Sequence, residues 1–189
     1  EETDLIVQTW TMGKLSKEQF KGLEKAIMNG TGFSGWHGGL GDAFRDNLKY
    51  QFMVGGQFVF HPGGNIDHSI KIIDKSDPIT RGLNDFDLKK TEQYYMLIDP
   101  NIKVLAISEF EREKYENSGN AENKITGSTM PVVWKKYYGK GRIFHSSIGH
   151  HLTDFDVPEV MTMQMRGFRW ASEGKYAKKE QTIKPAYNE

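Results

Sequence analysis

The 189-residue chain contains no cysteine. That absence excludes disulfides, thiolate metal ligands and any acyl-enzyme chemistry that needs a sulfur nucleophile. Net charge is missing too, because 25 Lys and Arg balance 25 Asp and Glu. Without a basic field or an acidic tail, nucleic acid is not an expected partner. Apolar runs are short, as in Phe58-Val59-Phe60, so no membrane association is expected. A disulfide-free chain of mixed charge is expected in the cytoplasm. Its length suits one domain over residues 1–175, followed by a polar tail over 176–189. Aromatic residues at 12% and eight Met supply the core instead.

Along the chain, Asp4 to Gln8 reads as a buried strand. Ser16-Lys17-Glu18-Gln19 matches a capping box, with Phe20, Leu23 and Ile27 at helical spacing behind it. Asn29-Gly30 ends that helix and Gly32 to Trp36 reads as the next strand. Such a β-α-β unit implies parallel pairing. A short helix is expected over Ala43–Tyr50 and a strand over Gln57–Phe60. Ile66 to Ile73 alternates as a half-buried strand does. Glu92–Leu97 and Val104–Ser108 read as two further strands, and residues 109–129 as a long, polar, mobile loop. Tyr138-Gly139-Lys140-Gly141, flanked by apolar runs, signals a hairpin rather than a phosphate loop. Pro158 suits the first turn of a last helix, with Met161, Met165 and Phe168 as its apolar stripe.

The stretch Gly35-Trp36-His37-Gly38-Gly39 has the strand-to-turn pattern of a nucleophile elbow, with histidine at the apex. Such an apex points into the crevice at the carboxyl ends of the strands, where open α/β sheets bind ligands. His37 is therefore a candidate proton carrier, hydrogen-bonding group or ligand. Glu92 is a candidate general base. Strand alternation puts Glu92 and Tyr94 on one face and Gln93 and Tyr95 on the other. His150 follows a strand at a glycine turn, on the same expected edge. His37, Glu92 and His150 are the catalytic candidates. Trp36, Gly38, Asp42, Arg45, His61, Gln93, Tyr94 and Tyr95 are the substrate-binding candidates. His145 reads as a satisfied core histidine and His151 as solvated; His68 lies seven residues past His61. No H-x-x-x-H or H-E-x-x-H spacing occurs, so no metal site and no cofactor is assigned, although the ligand types leave a divalent cation open.

"GWHGG", "HPGG", "DPITRGLNDF", "TEQYYMLIDP", "MPVVWKKYYGKGRIFHSSIGH" and "RGFRWA", in this order, resemble the ThuA-like (trehalose-utilisation) proteins. The resemblance implies the class I glutamine amidotransferase-like superfamily. The fold it implies is a three-layer, flavodoxin-like α/β domain with a mainly parallel central sheet and an extra β-hairpin. It also implies a β-α-β segment before the strand matching Leu5-Ile6-Val7, at which this chain opens, so that segment is expected to be lacking. The implied substrate is a sugar or keto-sugar derived from a disaccharide such as trehalose. The chemistry expected of the His and Glu candidates is proton transfer beside a carbonyl, an isomerisation or elimination with Glu92 or His37 as base. Glutaminase activity is not expected, because histidine stands at the elbow where the amidotransferases carry cysteine. Two other classes stay open: a sugar-binding or regulatory module without turnover, and a metal-dependent hydrolase. The expected partner is a small-molecule carbohydrate, with a homo-oligomer left open.

Overall fold

The computed structural model describes residues 2–115 and 124–177. Nine strands form two sheets. They are β1 (Leu5–Gln8), β2 (Gly32–Trp36), β3 (Gly56–Phe60), β4 (Asn65–Ile72), β5 (Phe86–Glu92), β6 (Tyr95–Ile98), β7 (Lys103–Glu109), β8 (Thr129–Tyr138) and β9 (Gly141–Ser146). The large sheet has the order β1-β2-β9-β8-β7-β4-β5, and β3 pairs with β6 apart from it. Helices are α1 (Lys17–Met28), α2 (Gly38–Gly41), α3 (Leu48–Val54), α4 (Arg112–Tyr115) and α5 (Pro158–Ser172).

The expected mainly parallel sheet is corrected. Of the six neighbouring pairs, β1–β2 and β2–β9 are parallel and the other four are antiparallel. The reason is connectivity: parallel neighbours need a crossover of helix length, and α1 supplies one between β1 and β2. The β8–β9 turn closes with Tyr138 opposite Gly141, as the hairpin reading required. Such a short link forces antiparallel pairing. The result is a mixed α/β domain with a mostly antiparallel sheet.

α1 starts as the sequence says. The Ser16 hydroxyl accepts from the Gln19 N–H, and the Gln19 side chain accepts from the Ser16 N–H. Its Phe20 and Ile27 pack with Phe33, Tyr50, Met53 and Ile143 in one core cluster. On the opposite face Phe144, next along β9, packs with Val160 and Met163 of α5. Successive β9 residues thus anchor helices on two faces, as the two-residue strand period demands. Each fully buried side chain of this size contributes about 1.5–3 kcal/mol.

Several local expectations need correction. β1 is an edge strand and only half-buried, with Val7 42% exposed. The helix expected over Ala43–Tyr50 lies at α3, because the Asn47 side chain caps Tyr50 N–H. On α5 the buried face is Val160, Met163, Gln164, Gly167 and Ala171, while Met161 and Met165 face outward. A Cβ on Gly167 would lie 2.2 Å from the Phe144 ring, so α5 sits on β9 at the distance only glycine allows. Glu92–Leu97 is not one strand, since β5 ends at Glu92 and β6 begins at Tyr95 in the other sheet. Within the expected loop 109–129, Phe110 and Tyr115 are buried core residues, and residues 116–123 lie outside the described residues. Of the expected tail, Tyr176 donates to Asp4, and 178–189 lie outside the described residues.

Candidate active site

β2 runs directly into α2, and His37 is the residue between them. Its backbone has φ 48° and ψ −139°, a conformation L-residues avoid and one that stores strain when the surroundings enforce it. Enforcement comes from both sides. The His37 N–H donates to Ser146 O at 2.7 Å, extending the β2–β9 ladder, and His37 O accepts from Gly41 N–H at 2.9 Å. A side chain at Gly38 would be crowded: a Cβ there would meet Thr11 Oγ1 at 3.0 Å and the Tyr94 hydroxyl at 3.2 Å.

The imidazole is held by a backbone acceptor. His37 Nδ1 lies 2.9 Å from Ser147 O, so Nδ1 carries the hydrogen and Nε2 faces the crevice. There Nε2 is 3.1 Å from Glu92 Oε2 and 3.2 Å from His150 Nδ1. His150 Nδ1 is in turn 3.4 Å from the same carboxylate oxygen. The other carboxylate oxygen, Oε1, lies 3.5 Å from His61 Nε2. Three chain segments therefore converge: the elbow after β2, the end of β5 and the loop after β9. Tyr94 covers the group, its ring 4.1 Å from that of His37. The site opens outward from His37, which is 9% exposed, through Glu92 and His150 to His61, whose side chain is 44% exposed.

Burial lowers the His37 pKa, outweighing the opposing pull of the Ser147 carbonyl and the Glu92 charge. Burial, reinforced by Glu92 and Asp42, raises the Tyr94 phenol well above its ordinary range, so it stays protonated. Beneath the elbow, His145 is fully buried and stacks on Trp134 at 4.1 Å, with burial bringing its pKa down to about 3. It is a neutral core residue, but the expectation that it is satisfied is corrected: neither ring nitrogen has a hydrogen-bond partner among the described residues, because the ring is stacked on Trp134 in apolar surroundings. His68 is likewise buried, its pKa brought down by burial to about 4.

The remaining candidates divide by place. Asp42 and Arg45 form a forked ion pair, with Nε–Oδ1 at 2.5 Å and Nη2–Oδ2 at 2.8 Å, and the guanidinium lies 5.4 Å from the Phe58 ring centre. Phe58 touches Tyr94, so this pair borders the covering ring rather than the three-residue group. Gln93 is bonded elsewhere: its amide donates to Ser108 Oγ and Glu109 O and accepts from the Tyr115 hydroxyl. Tyr95 packs on Phe60 and Phe110. Trp36 packs edge-on against Phe155 at 5.6 Å. None of Gln93, Tyr95 or Trp36 contacts the three-residue group in these interactions. Exposed His151 stacks edge-on beside His150 at 4.3 Å. Sequence reasoning missed Ser147 and Thr11. Ser147 acts through its main-chain carbonyl, which no residue type advertises, and Thr11 acts by filling the space beside Gly38.

The site is thus an elbow histidine that faces a carboxylate and a second histidine at strand ends of a mixed α/β domain. The ThuA family, described as trehalose utilisation, matches residues 1–171, and the chain belongs to it. A ThuA-like protein from Parabacteroides merdae superposes with TM-score 0.71 at 19% identity, over 93% of this chain and 72% of that one. Another from Bacteroides uniformis gives 0.70 at 18% identity, over 89% and 69%. A β-galactosidase from Rahnella sp. R3 gives 0.55 at 12% identity, with 92% of this chain covering 22% of that one. These likenesses show the fold. No curated protein matches the sequence. Among the described residues no helix is long and apolar enough to cross a membrane.

Proposed function

We propose that this protein processes a sugar or keto-sugar derived from a disaccharide such as trehalose, by proton transfer at a carbon next to a carbonyl. The reaction type is isomerisation or elimination. One observation carries the reading: His37 Nε2 and Glu92 Oε2, both mostly buried, meet at 3.1 Å, and the second oxygen of Glu92 lies toward the more exposed His61. A carboxylate so placed can take a proton from carbon while the imidazole and the Tyr94 hydroxyl hold substrate oxygens. Membership of a trehalose-utilisation family supports the substrate class. Cysteine-free composition argues against glutamine hydrolysis, since that chemistry needs a thiolate. The reading assigns a small-molecule partner and a cytoplasmic setting.

Trehalose, sucrose and their 3-keto forms are the test panel. In deuterated buffer, NMR should show exchange of the hydrogen beside the keto group of one of them. Glu92→Gln keeps the shape of the side chain but cannot take up a proton. It should bind the sugar yet lose on the order of 100-fold in exchange. Saturable binding with no exchange of any keto-sugar would replace this reading with a non-catalytic sugar-binding module.

A further inference from the structure

We propose that the crevice is a divalent-cation site, formed by His37 Nε2, Glu92 Oε2 and His150 Nδ1 and selective for first-row transition ions of the zinc and manganese kind. The ion's chemical role rests on the carbohydrate reading above, whereas its binding does not.

The first support is geometric. The three candidate ligand atoms lie 3.1, 3.2 and 3.4 Å apart pairwise. An ion bonded at about 2.1 Å to nitrogen and oxygen needs ligand separations of about 3.0 Å at right angles and about 3.4 Å in a tetrahedron. All three edges of the triangle fall in that window at once. A chance cluster of polar side chains has no reason to close its third edge.

The second support is the set of partners. His37 Nδ1 is engaged by Ser147 O, so Nε2 is the ring atom left to face Glu92 Oε2 and His150 Nδ1. Among the described residues, no Lys or Arg nitrogen is within 4.0 Å of a Glu92 oxygen; its ion-pair neighbours are His37, His61 and His150. A cation between the three atoms satisfies every one of them. The outer contacts fit as well: metal-binding histidines commonly donate their other N–H to a carbonyl, as His37 does to Ser147.

The donor set chooses the ion. Two imidazoles and one carboxylate suit zinc, manganese, iron or cobalt better than calcium or magnesium, which prefer all-oxygen sites. Three protein ligands leave positions open, the mark of a catalytic rather than a structural site. A sugar's carbonyl and neighbouring hydroxyl oxygens would fill those positions. The C–H electron pair then becomes the new C=C bond and the carbonyl pair moves onto the ion-held oxygen. The proton passes to Glu92 Oε1, which the ion leaves free.

The test uses the whole chain, stripped with chelator and titrated calorimetrically with Zn²⁺ and with Mn²⁺. One equivalent of at least one ion is expected to bind. His150→Ala and Glu92→Gln should each weaken binding by more than about 100-fold, since even outer-shell partners change affinity 10–100-fold. His151→Ala should leave binding intact. Wild type loaded with Co²⁺ should show the visible bands of a four- or five-coordinate ion, a readout that needs no variant. Absent stoichiometric binding and absent Co²⁺ bands in wild type would overturn the proposal. So would binding that survives in folded His150→Ala and Glu92→Gln, or that follows His151 instead. Ion binding without sugar turnover would refute the proposed reaction and leave the site standing. Full turnover in ion-free protein would refute the ion's chemical role and leave the reaction standing.

Discussion

At almost every position in a protein, replacing alanine with glycine costs stability; at His37 it should add stability. The comparison is between His37→Ala and His37→Gly. Both remove the imidazole, so both lose the stack on Tyr94 and the bond to Ser147 O, and these losses cancel. Both lose any bound ion equally. What differs is one methyl group on a backbone held at φ 48°, ψ −139°. A non-glycine residue in such a region costs on the order of 1–3 kcal/mol. Against glycine stand the extra freedom of the unfolded chain, about 0.4–1 kcal/mol, and at most about 0.8 kcal/mol for the buried methyl. The balance favours glycine by about 1 kcal/mol. For a chain of this size that raises Tm by about 2–4 °C. Thermal and urea unfolding of both variants, in chelator, measures the gap. If the alanine variant is as stable as the glycine variant or more so, the elbow is not strained, and the claim that the fold stores energy there to place the histidine is wrong. The wild-type chain accepts that strain for a side chain only the site uses, which is the expected signature of function.

Two further predictions concern the scaffold. Gly167→Ala puts a methyl 2.2 Å from the fully buried Phe144 ring, so α5 must lift from β9 and stability should fall by about 1–3 kcal/mol in urea unfolding; an unchanged midpoint would show that the helix has slack. Asp77 is buried, and burial alone would raise its pKa, but bonds from Lys135 Nζ at 2.5 Å, the Ile79 N–H and Lys103 Nζ at 3.0 Å lower it overall. A carboxylate whose folded pKa lies below its unfolded value of about 4 stabilises fully above that pH, and the contribution is lost as pH falls through the depressed value. The stability gap between wild type and Asp77→Asn should therefore shrink as pH drops below about 4, and a gap independent of pH would mean that the ion pairs with Lys135 and Lys103 contribute nothing through charge.

What could be read from the sequence was local. The Ser16 capping box, the hairpin at Tyr138 to Gly141 and the elbow at His37 each depend on a few adjacent residues, and each stands where it was expected. The direction of the sheet was not local: β4 pairs with both β5 and β7, and no short motif states which strands become neighbours. On α5, Met161, Met165 and Phe168 form as regular a stripe as the true core face. The true face contains Gln164 and Gly167, which an apolar-residue count overlooks, and Gly167 is there because Phe144 leaves no room for a side chain.

The site followed the same division. His37 announced itself through its glycines, but its partners Glu92 and His150 are 55 and 113 residues away, and only the fold shows that they meet. Glu92 and Tyr94 were assigned to one face by strand alternation, and both do approach His37. The cause is different. β5 ends at Glu92 in the large sheet and β6 begins at Tyr95 in the small one, so the two residues stand at the crossing between sheets. Glu92 is still paired with Asn65 as the last residue of the β5 ladder, and from that strand end its carboxylate reaches the elbow. Gln93, which lies between the two strands, turns instead toward Ser108 and Tyr115. Its place at the end of β5, where the chain crosses to the other sheet, lets the Glu92 carboxylate close a triangle with two histidines.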